Sequence, residues 1–252
     1  FYPCHIPPKD RPSVGSGVIF GDNFRVSEAI VDALQTKDDP RLPVYVAPTK
    51  HSFEAHRANA SVPFVYRGQP AGLSAAEQNE IDKDDYSVLS STIRSESRAF
   101  VMTFAELQFL KAEAIIRGMI TGNAADEYAK GIRASMQKWA AISSDDVDVY
   151  LARPDVALNT AQNEALKQIG TQAWIDSFLN GFEAFANWRR TGYPELKVGT
   201  SVSSAIPVRY IYSDNEQNNP NLISWTNEKI GRMVNETDMV WFQPQKWNTN
   251  DK

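Results

Sequence analysis

From Thr103 to Pro194, apolar residues recur with a helical period. In the first such stretch Leu107, Ala114 and Ile115 fall on one flank and Phe109, Ala112 and Ile116 on another, while Glu106, Glu113 and Arg117 share a narrow polar stripe. A helix apolar on two flanks packs between neighbours instead of lying on a surface. Thr103, three residues before Glu106, forms a capping box, Gly118 suits a left-handed helix stop, and Glu113 and Arg117 pair at i,i+4 in the favourable order. After the short turn Thr121-Gly122-Asn123, the stripe Tyr128, Ile132, Met136 and Trp139 predicts a second helix. Asn123 serves as its N-cap, with Asp126 and Glu127 at the positive end. Two amphipathic helices across so short a turn form an antiparallel αα-hairpin. A third helix is predicted from Ser144 to before Pro154, and a fourth from about Thr160 to Asn180. Its apolar face, Ile175, Phe178, Leu179, Phe182 and Phe185, runs on across Asn180-Gly181 toward Arg189, and Gly192 and Pro194 end it.

The hairpin has the length of one tetratricopeptide-type unit, with no second copy visible. Such units need neighbours to bury their faces, so this one is expected to pack on helices the chain does not contain. The flanking regions read differently. Nine of the fourteen prolines lie at or before Pro70, which excludes long helices there. Ser27 is expected to cap a short helix through Leu34, and Leu42 to Ala47 to form a brief strand placed at an edge by Pro43. The rest of residues 1–100 reads as long ordered loops, with Leu73 to Ser97 exposed, polar and acidic. After Pro194 helical periodicity is lost: Val208 to Tyr212 and Met239 to Phe242 are β-prone, Asn215 to Asn221 turn-rich, and the tail loose. No composition shift marks a flexible linker, so one domain is expected.

Charge and cysteine content narrow the function. A net charge of −5 over 252 residues, with pI near 5.3, argues against a nucleic-acid partner. Arg189-Arg190 beside Trp188 reads as a helix end, cationic near the negative terminus and stacked on an aromatic. One cysteine excludes an internal disulfide framework and any Cys-rich metal site. Cys4 is not expected to be a lipid anchor, because Phe1-Tyr-Pro-Cys4 lacks the apolar run and small residues that precede a lipidated cysteine. No stretch approaches the roughly 20 apolar residues of a membrane span, and no signal-peptide pattern is present. The chain is expected to begin mid-protein, so neither absence locates the whole protein.

Catalytic motifs are missing. Gly15-Ser-Gly17-Val-Ile-Phe-Gly21 has the wrong spacing for a dinucleotide loop, and there is neither a strand–Ser–helix elbow nor a His-Glu-x-x-His. His51 and His56 read as surface loop residues. Asp38-Asp39, Asp84-Asp85 and Asp145-Asp146 read as turn, loop and helix-start residues, since a glycosidase needs two carboxylates opposed across a cleft. No catalytic residue, metal ligand or cofactor is assigned. Asn59-Ala-Ser61 and Asn235-Glu-Thr237 match a glycosylation acceptor pattern and carry little weight.

Several segments, in order, resemble the SusD/RagB family of surface glycan-binding lipoproteins of Bacteroidetes. They are Asp39-Pro-Arg-Leu42, Tyr66-Arg-Gly-Gln-Pro-Ala-Gly72, Thr103-Phe-Ala-Glu-Leu-Gln-Phe-Leu-Lys-Ala-Glu-Ala114, the helix holding Tyr128 to Trp139, Ile169-Gly-Thr-Gln-Ala-Trp-Ile175, Asn180-Gly-Phe-Glu-Ala-Phe-Ala-Asn-Trp-Arg-Arg-Thr-Gly-Tyr-Pro194 and Ile206-Pro-Val-Arg-Tyr-Ile-Tyr-Ser-Asp-Asn-Glu216. The resemblance covers about Val26 to Phe242. It implies a mainly α, SusD-like fold of tetratricopeptide-like hairpins with long irregular loops and a few short strands. Residues 1–252 would be the carboxyl-terminal part of a single SusD-like domain. Its expected divisions are a loop-rich ligand side (1–100), a helical core (101–194) and an irregular end (195–252). It further implies a non-enzymatic protein at the outer-membrane surface, its lipid anchor in the absent amino-terminal part. Such a protein captures an oligosaccharide or polysaccharide and serves a SusC-like TonB-dependent transporter.

A sugar ring is bound by stacking its C–H face on an aromatic plane, so the aromatics are the candidate contacts. Helical Tyr128, Trp139, Trp174, Phe178 and Phe182 are expected in the core. Loop aromatics are better placed, because binding residues sit on loops held by a rigid scaffold. Tyr66, followed by Arg67, comes first, then Tyr45 and Phe53. Two other readings stand beside this one: a tetratricopeptide-like adaptor for protein segments, and a glycoside hydrolase.

Overall fold

The structure is a computed structural model and describes residues 4–5, 24–95, 98–139, 142–199 and 205–240. The fold is mainly α. Strands β1 (Cys4–His5) and β2 (Arg98–Ala99) pair antiparallel, and they make the single sheet among the described residues.

Helix α1 (Glu28–Gln35) starts where expected, with Ser27 accepting from the Ala29 amide, and buries Ile30, Val31 and Leu34. The segment expected as a strand from Leu42 is instead a helical turn, α2 (Leu42–Tyr45). Pro43 lies in its first turn, where a missing N–H costs nothing. Only Val46 pairs as a strand residue would, in a bridge to Leu89. The region expected as loops also contains α3 (Lys50–Ala58), capped by Thr49, and α4 (Ala75–Glu80), started by a Ser74–Glu77 capping box. A short α5 (Ser91–Ser95) follows. Leu73 to Ser97 is therefore not simply exposed loop: Tyr86, Ser87, Ser90 and Ile93 are buried.

The helical region follows the periodicity. Helix α6 (Phe104–Ile116) carries the expected capping box, and α7 (Ala124–Gln137) is capped by Asn123. Gly131 lets α7 approach closely, since a Cβ there would stand 2.6 Å from the Phe109 ring. Then come α8 (Ser144–Leu151) and α9 (Gln162–Asp176). The long fourth helix is interrupted. Leu179 takes a positive φ of 69°, and Asn180 caps a new helix, α10 (Gly181–Thr191), which Gly192 closes in the left-handed conformation. The break re-aims the apolar face: Ile175 is buried, whereas Leu179, Phe182 and Phe185 are exposed. Beyond Pro194, Val208 to Tyr212 forms no strand. The stretch read as turn-rich holds α11 (Asp214–Gln217), and α12 (Pro220–Lys229) follows, capped by Asn219 with a proline at its first position. Met239 and Val240 are irregular, and the rest of that β-prone run lies outside the described residues.

Helix α6 packs on α7 and α9, and α9 on α10. One core cluster joins Phe109, Tyr128, Ile132, Met136, Val147 and Ile169. A second joins Ile30, Val31, Leu34, Val44, Tyr45 and Ile93 to Trp139 and Ile175 at the ends of the helical layer. Only one flank of α6 is covered; Phe104, Leu107 and Leu110 are exposed on the other.

Buried ionic contacts clamp the layers together. Arg41 is fully buried; its Nε and Nη2 donate to the Asp39 carboxylate at 2.9 and 2.6 Å, Nη1 to Ser135 Oγ at 2.9 Å, and Nη2 also to Gln172 Oε1 at 2.6 Å. Burial works to raise the Asp39 carboxyl, but the Arg41 guanidinium overcomes it and holds Asp39 below the usual range. Asp39 is thus more than a turn residue: it anchors an arginine that reaches into α7 and α9. Glu113, in the expected polar stripe, is buried as well. It accepts from Arg117 at 2.8 Å and from both Arg190 terminal nitrogens at 2.7 and 2.9 Å, which closes α10 onto α6. Arg189, by contrast, stacks on Phe185 at 4.5 Å.

Candidate binding surface

The loop layer is held by hydrogen bonds between segments far apart in sequence. Ser87, completely buried, receives the Arg67 amide on its Oγ at 3.1 Å and the Val26 amide on its carbonyl at 2.9 Å, and donates its own amide to Arg67 O at 2.8 Å. Ser52 Oγ accepts the Val65 amide at 2.7 Å, Thr49 donates its amide to Val65 O at 2.9 Å, and Ala47 donates to Val88 O at 2.8 Å. Ser90 Oγ donates to Val44 O and its amide to Tyr45 O at 3.0 Å. At Gly68 a Cβ would meet the Glu28 backbone at 2.3 Å, so only glycine allows this close crossing.

On this frame lies an open groove of about 640 Å³, with Phe53, Lys50 and Asp84 on its walls and Tyr86 below. Lys50, at the start of α3, donates to Asp84 at 2.6 Å, and this hydrogen bond raises its pKa. Arg25 donates through Nε to Lys83 O at 2.7 Å and stands 4.0 Å from Asp84. Beside the groove, His51 Nε2 lies 3.0 Å from Asp82, a contact that raises the histidine and lowers the aspartate.

The four residues singled out from sequence separate here. Phe53 is 53% exposed on α3, its ring parallel to Phe64 at 6.4 Å. Arg67 lies 4.8 Å over the ring of Tyr86, a residue of the groove, but does not itself line it, so of the four candidates the cavity holds Phe53 alone. Tyr66 is half-buried and packs on the second core cluster; burial raises its hydroxyl. Tyr45 is fully buried, stacked on Phe178 at 4.4 Å and edge-on to Trp139 at 6.1 Å, its hydroxyl pushed up to about 12 by burial. The α2 turn directs it inward, which makes it a core residue with no face for a ligand. His51 and His56 sit on α3, not on a loop, and His56 Nδ1 lies 2.6 Å from Val62 O. Among the described residues no group of three His, Cys, Asp or Glu side chains is placed to hold a metal ion.

A second concavity, of about 830 Å³, was not anticipated from sequence. Phe182, Phe185, Tyr210, Tyr212 and Trp225 line it together with Arg189, Arg209 and Asp238. Tyr128 and Trp139 are core as expected and Trp174 and Phe178 half-buried, but Phe182 is 93% exposed. The signal that could have shown this is the Asn180-Gly181 step, read as continuous helix although Asn before Gly suits a break and a cap.

The described residues thus form a helical-hairpin scaffold and a cross-linked loop layer with two open grooves lined in part by aromatic rings. The sequence profile of the SusD-like family described as starch-binding, associating with the outer membrane, matches residues 10–213, and the chain belongs to that family. Among solved structures, a chitin-binding protein is 29% identical, with a TM-score of 0.70 over 86% of this chain and 49% of its own. A SusD homolog from Bacteroides fragilis is 22% identical, with a TM-score of 0.76 over 90% of this chain and 54% of its own. A chitin-binding SusD homolog from Flavobacterium johnsoniae is 23% identical, with a TM-score of 0.71 over 92% of this chain and 52% of its own. The last two establish the fold alone. The chain thus spans about half the length of the solved structures it matches. No match was found among curated proteins.

Proposed function

We propose that this chain is part of a non-enzymatic glycan-binding protein of the outer-membrane surface. It captures an oligosaccharide for nutrient uptake and hands it to a SusC-like TonB-dependent transporter. The observation that carries this reading is the groove lined by exposed Phe53 and by Tyr86, on whose ring Arg67 stacks, with the paired Lys50 and Asp84 as polar groups of the same lining. An aromatic plane beside paired polar groups is the chemistry that holds a sugar ring. Family membership and a chitin-binding relative at 29% identity support the ligand class. Phe53 is the groove's outward contact, and Arg67 acts through the Tyr86 ring on which it stacks. The open α6 flank, Phe104, Leu107 and Leu110, is a protein-facing surface for further helices of the same protein.

Binding of the intact protein to soluble starch, chitin oligosaccharides and a peptide panel, with product release followed in parallel, tests the reading. Retention of a glycan without shortening is expected. Phe53→Ala should weaken it about 3- to 10-fold, the order of one aromatic contact. Binding of peptides alone would favour the adaptor reading, and release of shorter sugars would overturn the absence of catalysis.

A further inference from the structure

We propose that the second groove, between α10 and the Arg209–Val240 segment, is an additional stacking surface for a neutral oligosaccharide chain, separate from the Phe53 groove. This rests on the glycan-binding reading above and adds to it a site made of different elements. Single exposed apolar residues are ordinary, but here Phe182 and Tyr210 are 93% and 94% exposed and share one concavity with half-exposed Trp225. Rings gathered in one concavity beside polar groups, not scattered singly, are what a small-molecule site offers.

The surface is held in place before any ligand arrives. Phe185 lies near-parallel to Trp188 at 6.1 Å and is covered on one face by Arg189, whose Nη1 donates to Val208 O at 3.1 Å. Arg209 lies 5.3 Å over Tyr212, and Gln217 Nε2 donates to Tyr212 O at 2.6 Å. The Val208 amide donates to Glu236 O at 2.8 Å, and Asp238 accepts from Arg232 at 2.5 Å and from the Asn235 amide at 2.7 Å.

The chemistry selects the occupant. A further helix seats on a wholly apolar face, as Phe104, Leu107 and Leu110 present on α6. In this groove five rings and the apolar Ile230, Val234, Met239 and Val240 share the lining with Arg189, Arg209 and Asp238, so flat apolar planes and hydrogen-bonding groups occur in one concavity. A pyranose presents the same combination, C–H faces and hydroxyl edges. Because Arg189 and Asp238 already have partners, the groove offers polar groups without demanding a charged ligand. Its occupant is therefore a neutral sugar.

The test compares the intact protein with the Phe182→Ser/Tyr210→Ala variant, using soluble starch and a chitin hexasaccharide as probes. The variant is expected to bind the long chain weaker by about fivefold or more, the order of losing two stacked rings, with its affinity for the short probe unchanged. Hydrogen exchange of the unmodified protein gives a second reading that needs no substitution: the long chain should protect amides in the first turn of α10 and in residues 208–212. Unchanged long-chain affinity, or no added protection, overturns the second site while leaving the Phe53 groove standing. Protection of this face before any glycan is added means another part of the protein covers it, and also overturns the proposal. If the unmodified protein retains neither probe, the glycan-binding reading itself fails.

Discussion

The helical region and the loop layer build their buried cores by opposite means. Between Thr103 and Gly192, local rules suffice: capping boxes, a period of 3.6 and a glycine at the closest helix contact assemble α6, α7 and α9 around Phe109 and Ile132. Between Phe24 and Ser95, helices of nine residues or fewer could not persist alone. There the order comes from distant pairings, Ser87 to Arg67 and Val26, Ser90 to Val44, and Arg41 to α7 and α9. A periodic scaffold tolerates sequence change one helix face at a time. A cross-linked layer instead concentrates its stability in a few polar side chains.

Arg41→Ala is the change that should separate the two regions most. It strands Asp39 in the interior, and truncating one partner of a buried pair costs about 3–5 kcal/mol. Urea unfolding followed by tryptophan fluorescence should show this loss, and Arg153→Ala, on a surface pair, should show almost none. Equal effects from the two would remove the special place given to the buried arginine.

Glycine substitutions sharpen the contrast. Gly131→Ala meets the Phe109 ring and should cost about 1–3 kcal/mol, as overpacking does; Phe109→Leu in the same chain should recover part of it. Gly68→Ala meets the Glu28 backbone, which cannot yield, so a larger loss without rescue by any single side-chain change is expected. Thermal unfolding of the single and double variants measures both.

Smaller effects appear in pH dependence. Burial, then the charge of Glu183, raises the Glu106 carboxyl above its ordinary value of 4.5. Its contribution is therefore greatest below that value and is lost as pH rises through the folded pKa. Glu106→Gln preserves the capping-box geometry and should flatten this slope, leaving the protein at neutral pH as stable as before or more so. In the loop layer, His51 is raised from 6.5 and Asp82 lowered from 3.8 by their mutual hydrogen bond. That contact should persist between the lowered Asp82 pKa and the raised His51 pKa, and fade outside this window. Both groups are exposed, so the change is best seen by NMR titration of His51, whose pKa should fall in Asp82→Asn.

How much of this was legible follows the same division. Thr103–Glu106, Asn123 and Gly192 mark helix ends through side chains within a few residues, and those ends stand where expected. Thr49, Ser74–Glu77 and Asn219–Pro220 carried equally local signals, masked by the surrounding prolines and polar residues. The break itself was signalled by Asn180-Gly181, but the positive φ of Leu179 could not be read, because a leucine in that conformation is fixed by its surroundings. Nor could the inward aim of Tyr45, which depends on Phe178 and Trp139, residues far along the chain. Of the four candidates only Phe53 reached a groove: α3 is held to residues 65–67 through Ser52, whereas the Arg67 side chain turns onto the Tyr86 ring.

The Ser87 node has a consequence for how such a binding face changes over time. It secures Val26 and Arg67 through their main-chain atoms, and those bonds do not depend on which side chains the two residues carry. Outward side chains around the groove, Phe53 and Lys50 among them, are thus free to be exchanged while the frame beneath keeps its shape. On the glycan-binding reading proposed above, a lineage carrying this frame can move from one sugar to another by single substitutions, and a protein engineer can graft new ligand contacts onto it by the same route.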